Sequence, residues 1–85
     1  MNGFKTTKER SGSEAYEAYA SKTDDYMVHV SKNYNRNNSN KIDFGSVTVY
    51  NGEEQLKRFE IGLDAYYTLK EAKAKAFGLI EKMRA

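Results

Sequence analysis

Leu69, Ala72, Ala76, Leu79, Ile80 and Met83 recur at helical spacing, which predicts one amphipathic helix over residues 68–83. Such a stripe is stable only against another apolar layer, so it constrains everything before it. The preceding residues supply that layer by alternation. Residues 26–30 put Tyr26, Val28 and Val30 on one face. Residues 44–50 put Val47 and Val49 on one face and Ser46, Thr48 and Tyr50 on the other. Residues 55–61 turn Phe59 and Ile61 inward, with Arg58 and Glu60 outward. Asn51-Gly52 between the last two runs is a hairpin signal, because both residues accept positive φ. Thr68 with Glu71 forms the pattern of a capping box. The small Ala72 and Ala76 let the helix lie close to a sheet, whereas Gly78 costs up to about 1 kcal/mol of helix propensity.

The first part of the chain is less patterned. Residues 13–22 have Ala15, Ala18 and Tyr19 at helical spacing, Ser13 as a cap, and Glu14 and Glu17 in the first turn. Tyr16, Ala18 and Ala20 also alternate as a strand would. Alanine is a strong helix former and a weak strand former, which favours the helix. Residues 1–12 are polar and aperiodic, the pattern of a flexible basic arm carrying Lys5, Lys8 and Arg10. Residues 32–41, with five asparagines, read as a polar loop. The expected fold is α+β: a three-stranded antiparallel sheet, with a short N-terminal helix and a long C-terminal helix packed on one face. It forms one domain over residues 13–85, and the other sheet face is left to water or a partner.

At 85 residues one domain is expected, and the absence of cysteine excludes a disulfide staple or thiolate metal site. No apolar run has the length of a membrane helix or the character of a signal peptide, so a soluble, cytoplasmic protein is expected. His29 is the sole histidine, Asp24-Asp25 suits a turn, and no P-loop, Rossmann glycine set or nucleophile elbow is present. A non-enzymatic protein without metal or cofactor is expected.

The net charge of +2, from 14 basic and 12 acidic residues, is too small to imply a polyanionic partner by itself. The distribution says more. Lys70 and Lys73 sit where a helix start is already positive, and such an end with its free N–H groups attracts phosphate. Lys75 joins them from the helix flank. Residues 32–41 add Lys32, Arg36 and Lys41 as cations, Asn33, Asn35 and Asn37 as hydrogen-bonding groups, and Tyr34 as a stacking surface.

Thr68, Lys70, Ala72, Lys73 and Ala76 fall on the Ser/Thr-Lys-Lys-x-Ala-Lys-x-x-Ala-Ala motif, and residues 44–52 are similar to an F-x-V-x-V-x-N-G segment. Together with the α-β-β-β-α order, this resembles the double-stranded RNA-binding domain. Leu69 replaces the first motif lysine, Phe77 replaces the second alanine, and the Gly-Pro-x-His element is missing. The resemblance implies phosphate-backbone recognition of duplex or structured RNA. Thr68-Leu69-Lys70-Glu71-Ala72 after three strands also resembles the DNA-binding arm domain of phage-type integrases, which implies base contacts by Arg58, Ser46, Thr48 and Tyr50 on the open sheet face. In size, lack of proline and richness in Lys, Asn and Tyr, the chain is similar to accessory proteins of T4-type phages. These include RNA-binding, antitoxin-like inhibitors of host defence ribonucleases, and that similarity implies a host ribonuclease or other defence protein as partner. A third possibility is a protein-interaction module without nucleic acid, with an exposed strand edge making a homodimer.

Overall fold

The structure is a computed structural model, and it describes residues 3–38, 40–62, 65 and 67–85. Five strands run in chain order: β1 (Phe4–Ser11), β2 (Glu14–Ser21), β3 (Tyr26–Tyr34), β4 (Ile42–Asn51) and β5 (Glu54–Gly62). One helix follows, α1 (Leu69–Arg84). The sheet is an antiparallel meander in which every strand pairs with its sequence neighbours, in the order β1-β2-β3-β4-β5.

The expected three-stranded sheet with an N-terminal helix is therefore corrected. Residues 13–22 are not helical; β2 occupies 14–21 of them. Of the stretch 1–12 read as a flexible arm, residues 4–11 form β1, and residues 1 and 2 lie outside the described residues. Two physical reasons override alanine's helix preference. Gly12 has φ of +62° and among the described residues no non-glycine has positive φ, so Gly12-Ser13 makes a two-residue turn with glycine first, the type that matches strand twist. Alternation then does the rest: Ala15, Glu17 and Tyr19 are buried beneath the helix side, and Tyr16, Ala18 and Ala20 face the other way. Gly52-Glu53 is the same kind of turn, with Gly52 at φ +61°. Asn51, expected inside the turn, is the last residue of β4.

The core lies between the sheet and α1. Val28, Val30, Val47 and Val49 are fully buried across β3 and β4, and Phe59 and Ile61 extend them onto β5. Ala72, Ala76 and Ile80 press on them from the helix. Burying one valine contributes about 1.5–3 kcal/mol, so this quartet is the main source of stability. Thr68 caps α1: its hydroxyl accepts from the Glu71 amide at 3.2 Å, and Glu71 accepts from the Thr68 amide at 3.3 Å. Phe77 makes edge contacts with Phe4 (5.1 Å between centroids) and Tyr19 (5.4 Å). Those contacts bring β1 and β2 under the helix.

Gly45 lies in β4 opposite Lys32 and Ile61. A Cβ there would sit 2.2 Å from the Ser31 carbonyl oxygen and 3.2 Å from Ile61. Backbone cannot swing aside as a side chain can, so Gly45→Ala is expected to lose about 1–3 kcal/mol. Urea denaturation checks it: the midpoint should fall with an unchanged slope, and an unshifted midpoint contradicts the close approach.

Candidate functional site

Among the described residues the helix side of the sheet holds one buried acid. Glu17, with a side chain 6% exposed, accepts from Lys32 Nζ at 2.6 Å and from Lys73 Nζ at 2.7 Å. The Tyr19 hydroxyl also bonds to Glu17, and Lys73 Nζ lies 3.0 Å from that hydroxyl. Burial alone disfavours the charged carboxylate. The hydrogen bonds from Lys32, Lys73 and Tyr19 outweigh it and hold Glu17 at about 2, down from 4.5. Burial likewise opposes charge on the two lysines, and Glu17 overcomes it, so both titrate above their ordinary value. At the far end of α1, Arg84 takes Asp24 in a two-pronged bond of 2.8 and 2.9 Å and donates to Ser21 at 2.9 Å. Arg84 and Ser21 hold the Asp24 carboxyl at about 2.

These contacts reassign the expected phosphate site. Lys73 and Lys32 fix α1 and β3 to β2 through Glu17. Lys70 is exposed on the first turn of α1, and Lys75 lies over the Tyr67 ring at 5.4 Å. The helix start therefore presents no joint cationic knob. Arg36 and Lys41 are exposed, and Tyr34 is half-buried with Arg10 stacked over it at 4.2 Å. Asn35 is a brace for its own loop: its side-chain oxygen accepts from the amides of Asn37 (2.8 Å) and Asn38 (3.1 Å), and its amide donates to Asp43 at 3.2 Å.

The opposite face of the sheet carries a set of hydroxyl, charged and aromatic side chains, and among the described residues no element covers it. The pairing registers place its side chains in cross-strand rows. One row reads Thr7, Ala18, His29, Thr48, Arg58; the next reads Glu9, Tyr16, Ser31, Ser46, Glu60. Beyond them Glu14, Asn33 and Phe44 continue toward the loop. The face is concave. Ser46 and Thr48 are only 8% and 6% exposed although no described element lies over them, and they floor a groove of about 450 Å³. His29 and Tyr50 meet edge to face at 5.2 Å on its wall. A second hollow, lined by Asn33, Phe44, Arg36 and Asn37, continues the groove toward the loop.

Two rings stand out of this surface: Tyr16 is 47% exposed and Phe44 is 61% exposed. Glu14 is the main reason that the Tyr16 hydroxyl is held above its ordinary value. Arg58 pairs with Glu60 at 2.6 Å, but both are open to water, where such a pair is weak and exchangeable. Ser46, Thr48, Tyr50 and Arg58, the set implied by the integrase-arm resemblance, do line one surface. Tyr16 and Phe44 were missed as site residues. Tyr16 falls in a segment whose alanines predict a helix, and Phe44 opens a strand whose pattern is carried by its inward valines. Among the described residues no cluster of acidic, His or Cys side chains is placed to hold a metal ion, and no helix is long and apolar enough to cross a membrane.

No protein-family description, characterised protein or solved structure matches the chain.

The Glu17 clamp has a pH signature. Its folded value lies below its unfolded one, so its stabilisation is complete above about pH 4.5 and is lost as pH falls toward 2. That stabilisation is on the order of 3 kcal/mol. Glu17→Gln is expected to lower stability at neutral pH by roughly that amount, since it leaves two lysines without their acid. It should also flatten the acid limb of a thermal-denaturation series. Lys70→Ala should change stability by less than about 0.5 kcal/mol. Equal effects of the two variants contradict the clamp.

Proposed function

We propose that the protein binds single-stranded nucleic acid, specifically RNA, on the concave, uncovered face of its sheet. The observation that carries this is the exposure of Tyr16 and Phe44 on that face, Tyr16 on the wall of the hydroxyl-floored groove and Phe44 in the hollow next to it. Exposed rings on a rigid sheet are stacking platforms, and stacking contributes about 1–3 kcal/mol per base. The two rings stand two strands and one side-chain repeat apart, about 12 Å by strand geometry, room for separate bases.

Between them Ser31, Asn33 and Ser46, and one row beyond them Thr48, offer donors and acceptors of the kind that base edges and 2′-hydroxyls require. Arg36 and Arg58 flank the track as phosphate partners, with Arg58 exchanging Glu60 for phosphate. The face also carries Glu9, Glu14 and Glu60, so attraction to the backbone is modest and stacking dominates. The nucleic-acid partner expected from the lysine motif is retained, while the contact moves from the helix start to the sheet.

Fluorescence anisotropy with short oligouridine, oligothymidine and duplex RNA at several salt concentrations tests the proposal. Oligouridine should bind best and duplex RNA worst. Tyr16→Ala and Phe44→Ala should each weaken binding by about tenfold or more. With two phosphate contacts, log affinity should fall with log salt at a slope of about −1.4. A preference for duplex, or full affinity in both ring variants, overturns the proposal.

A further inference from the structure

The outer edge of β1 carries backbone groups that no described residue meets. Two hydrogen bonds fix which β1 groups point outward. The Lys22 amide donates to the Gly3 carbonyl at 3.0 Å, and the Tyr34 amide donates to the Ser13 carbonyl at 2.7 Å. In an antiparallel ladder the N–H and C=O of one residue point to the same side and alternate along the strand. With the observed registers, both bonds give the same result. Gly3, Lys5, Thr7, Glu9 and Ser11 turn their backbone toward β2. Phe4, Thr6, Lys8 and Arg10 turn theirs outward, and among the described residues no backbone group meets them. The other sheet edge differs, because Tyr67 bridges to Ile61 at the end of β5.

Charged side chains usually protect an edge from pairing. Here their arrangement selects one pairing. Take a twofold axis through Thr7, perpendicular to the sheet. Phe4 then opposes the partner's Arg10, Thr6 opposes the partner's Lys8, and these are the outward-pointing residues that can bond. Lys5 opposes the partner's Glu9, and the symmetry makes that ion pair twice, on the open face. Sliding by one repeat in one direction sets Lys8 against the partner's Lys8. Sliding the other way sets Lys5 against the partner's Thr7 and leaves Glu9 without a cation. Opposed unlike charges favour a register and opposed like charges disfavour it. Because the axis is perpendicular to the sheet, both helices stay on one side and both open faces on the other.

We propose that the protein is a homodimer through antiparallel β1–β1 pairing about Thr7, which joins two sheets into one. Thr7 and Glu9 line the groove of the open face. The dimer therefore sets the two grooves side by side across the axis, with the partner's Lys5 beside Glu9 at the rim. The interface stands apart from the nucleic-acid proposal and is tested on nucleic-acid-free protein.

The chain has no cysteine, so one introduced thiol gives an unambiguous readout. Thr7→Cys places two thiols at a non-hydrogen-bonded pair, where the Cα atoms lie about 4.5 Å apart, within disulfide range. Mild oxidation should convert most of it to covalent dimer on a non-reducing gel. Thr6→Cys, which opposes the partner's Lys8, should remain mostly uncrosslinked. By sedimentation velocity the unmodified protein should be dimeric. Glu9→Lys should weaken association by about tenfold or more, and the double reversal Lys5→Glu with Glu9→Lys should restore it. Thr6→Pro removes an outward N–H without touching the β2 ladder, and should be monomeric with an unchanged circular dichroism spectrum. A monomer at all accessible concentrations, equal crosslinking of the two cysteine variants, or association indifferent to Glu9→Lys overturns the proposal.

Discussion

A single helix shields one face of a five-stranded sheet, and the contact of Ala72, Ala76 and Ile80 with Val28, Val30, Val47 and Val49 makes that possible. Alanine at two of the three helix positions brings the helix axis close to the valines, which leave little relief of their own. The stripe is too narrow to reach the outer strands. Phe77 extends it to Phe4 and Tyr19, Lys73 reaches Glu17, and Arg84 reaches Asp24. The apolar contact contributes most of the energy, since several buried valines at about 1.5–3 kcal/mol each exceed one clamp of about 3 kcal/mol. Glu17 and its lysines instead give the helix one position across the sheet, a role that apolar contact alone serves poorly because it lacks direction.

The parts of the fold legible in the sequence are those with strong periodicity. β3, β4, β5 and α1 stand close to where Val28, Val30, Val47, Val49, Phe59, Ile61 and the Leu69–Ile80 stripe place them. β2 was hidden because Glu14–Ser21 satisfies two periods at once, and alanine's intrinsic preference points to the wrong one. Tertiary context decided it: Phe77 needs Tyr19 beneath it, and Lys73 needs Glu17. β1 was hidden because an edge strand exposed on both sides has no apolar alternation, and Phe4 is its one buried residue. Phe77 was the available signal. A large ring at a helix position where close packing calls for alanine implies a sheet wider than three strands.

The residue types of the candidate site were legible in the sequence, but the contacts of its lysines were not. The lysines of the final helix read as phosphate ligands because no sequence pattern announces a buried acid on a distant strand. Lys73 and Glu17 are far apart in the chain, and only the register of β2 brings them together. Ser46, Thr48, Tyr50 and Arg58 were legible as one face because alternation in a strand is a local property. Tyr16 joins that face only once β2 is a strand.

The meander also has a consequence for synthesis. Each hairpin pairs neighbours in sequence, so every strand can dock as soon as it leaves the ribosome. The cover for the valines is made after all of them. At roughly 5–20 residues per second, translating residues 63–85 leaves the nascent sheet bare for a few seconds. Adjacent chains on one polysome then carry the same naked apolar surface until α1 folds over it.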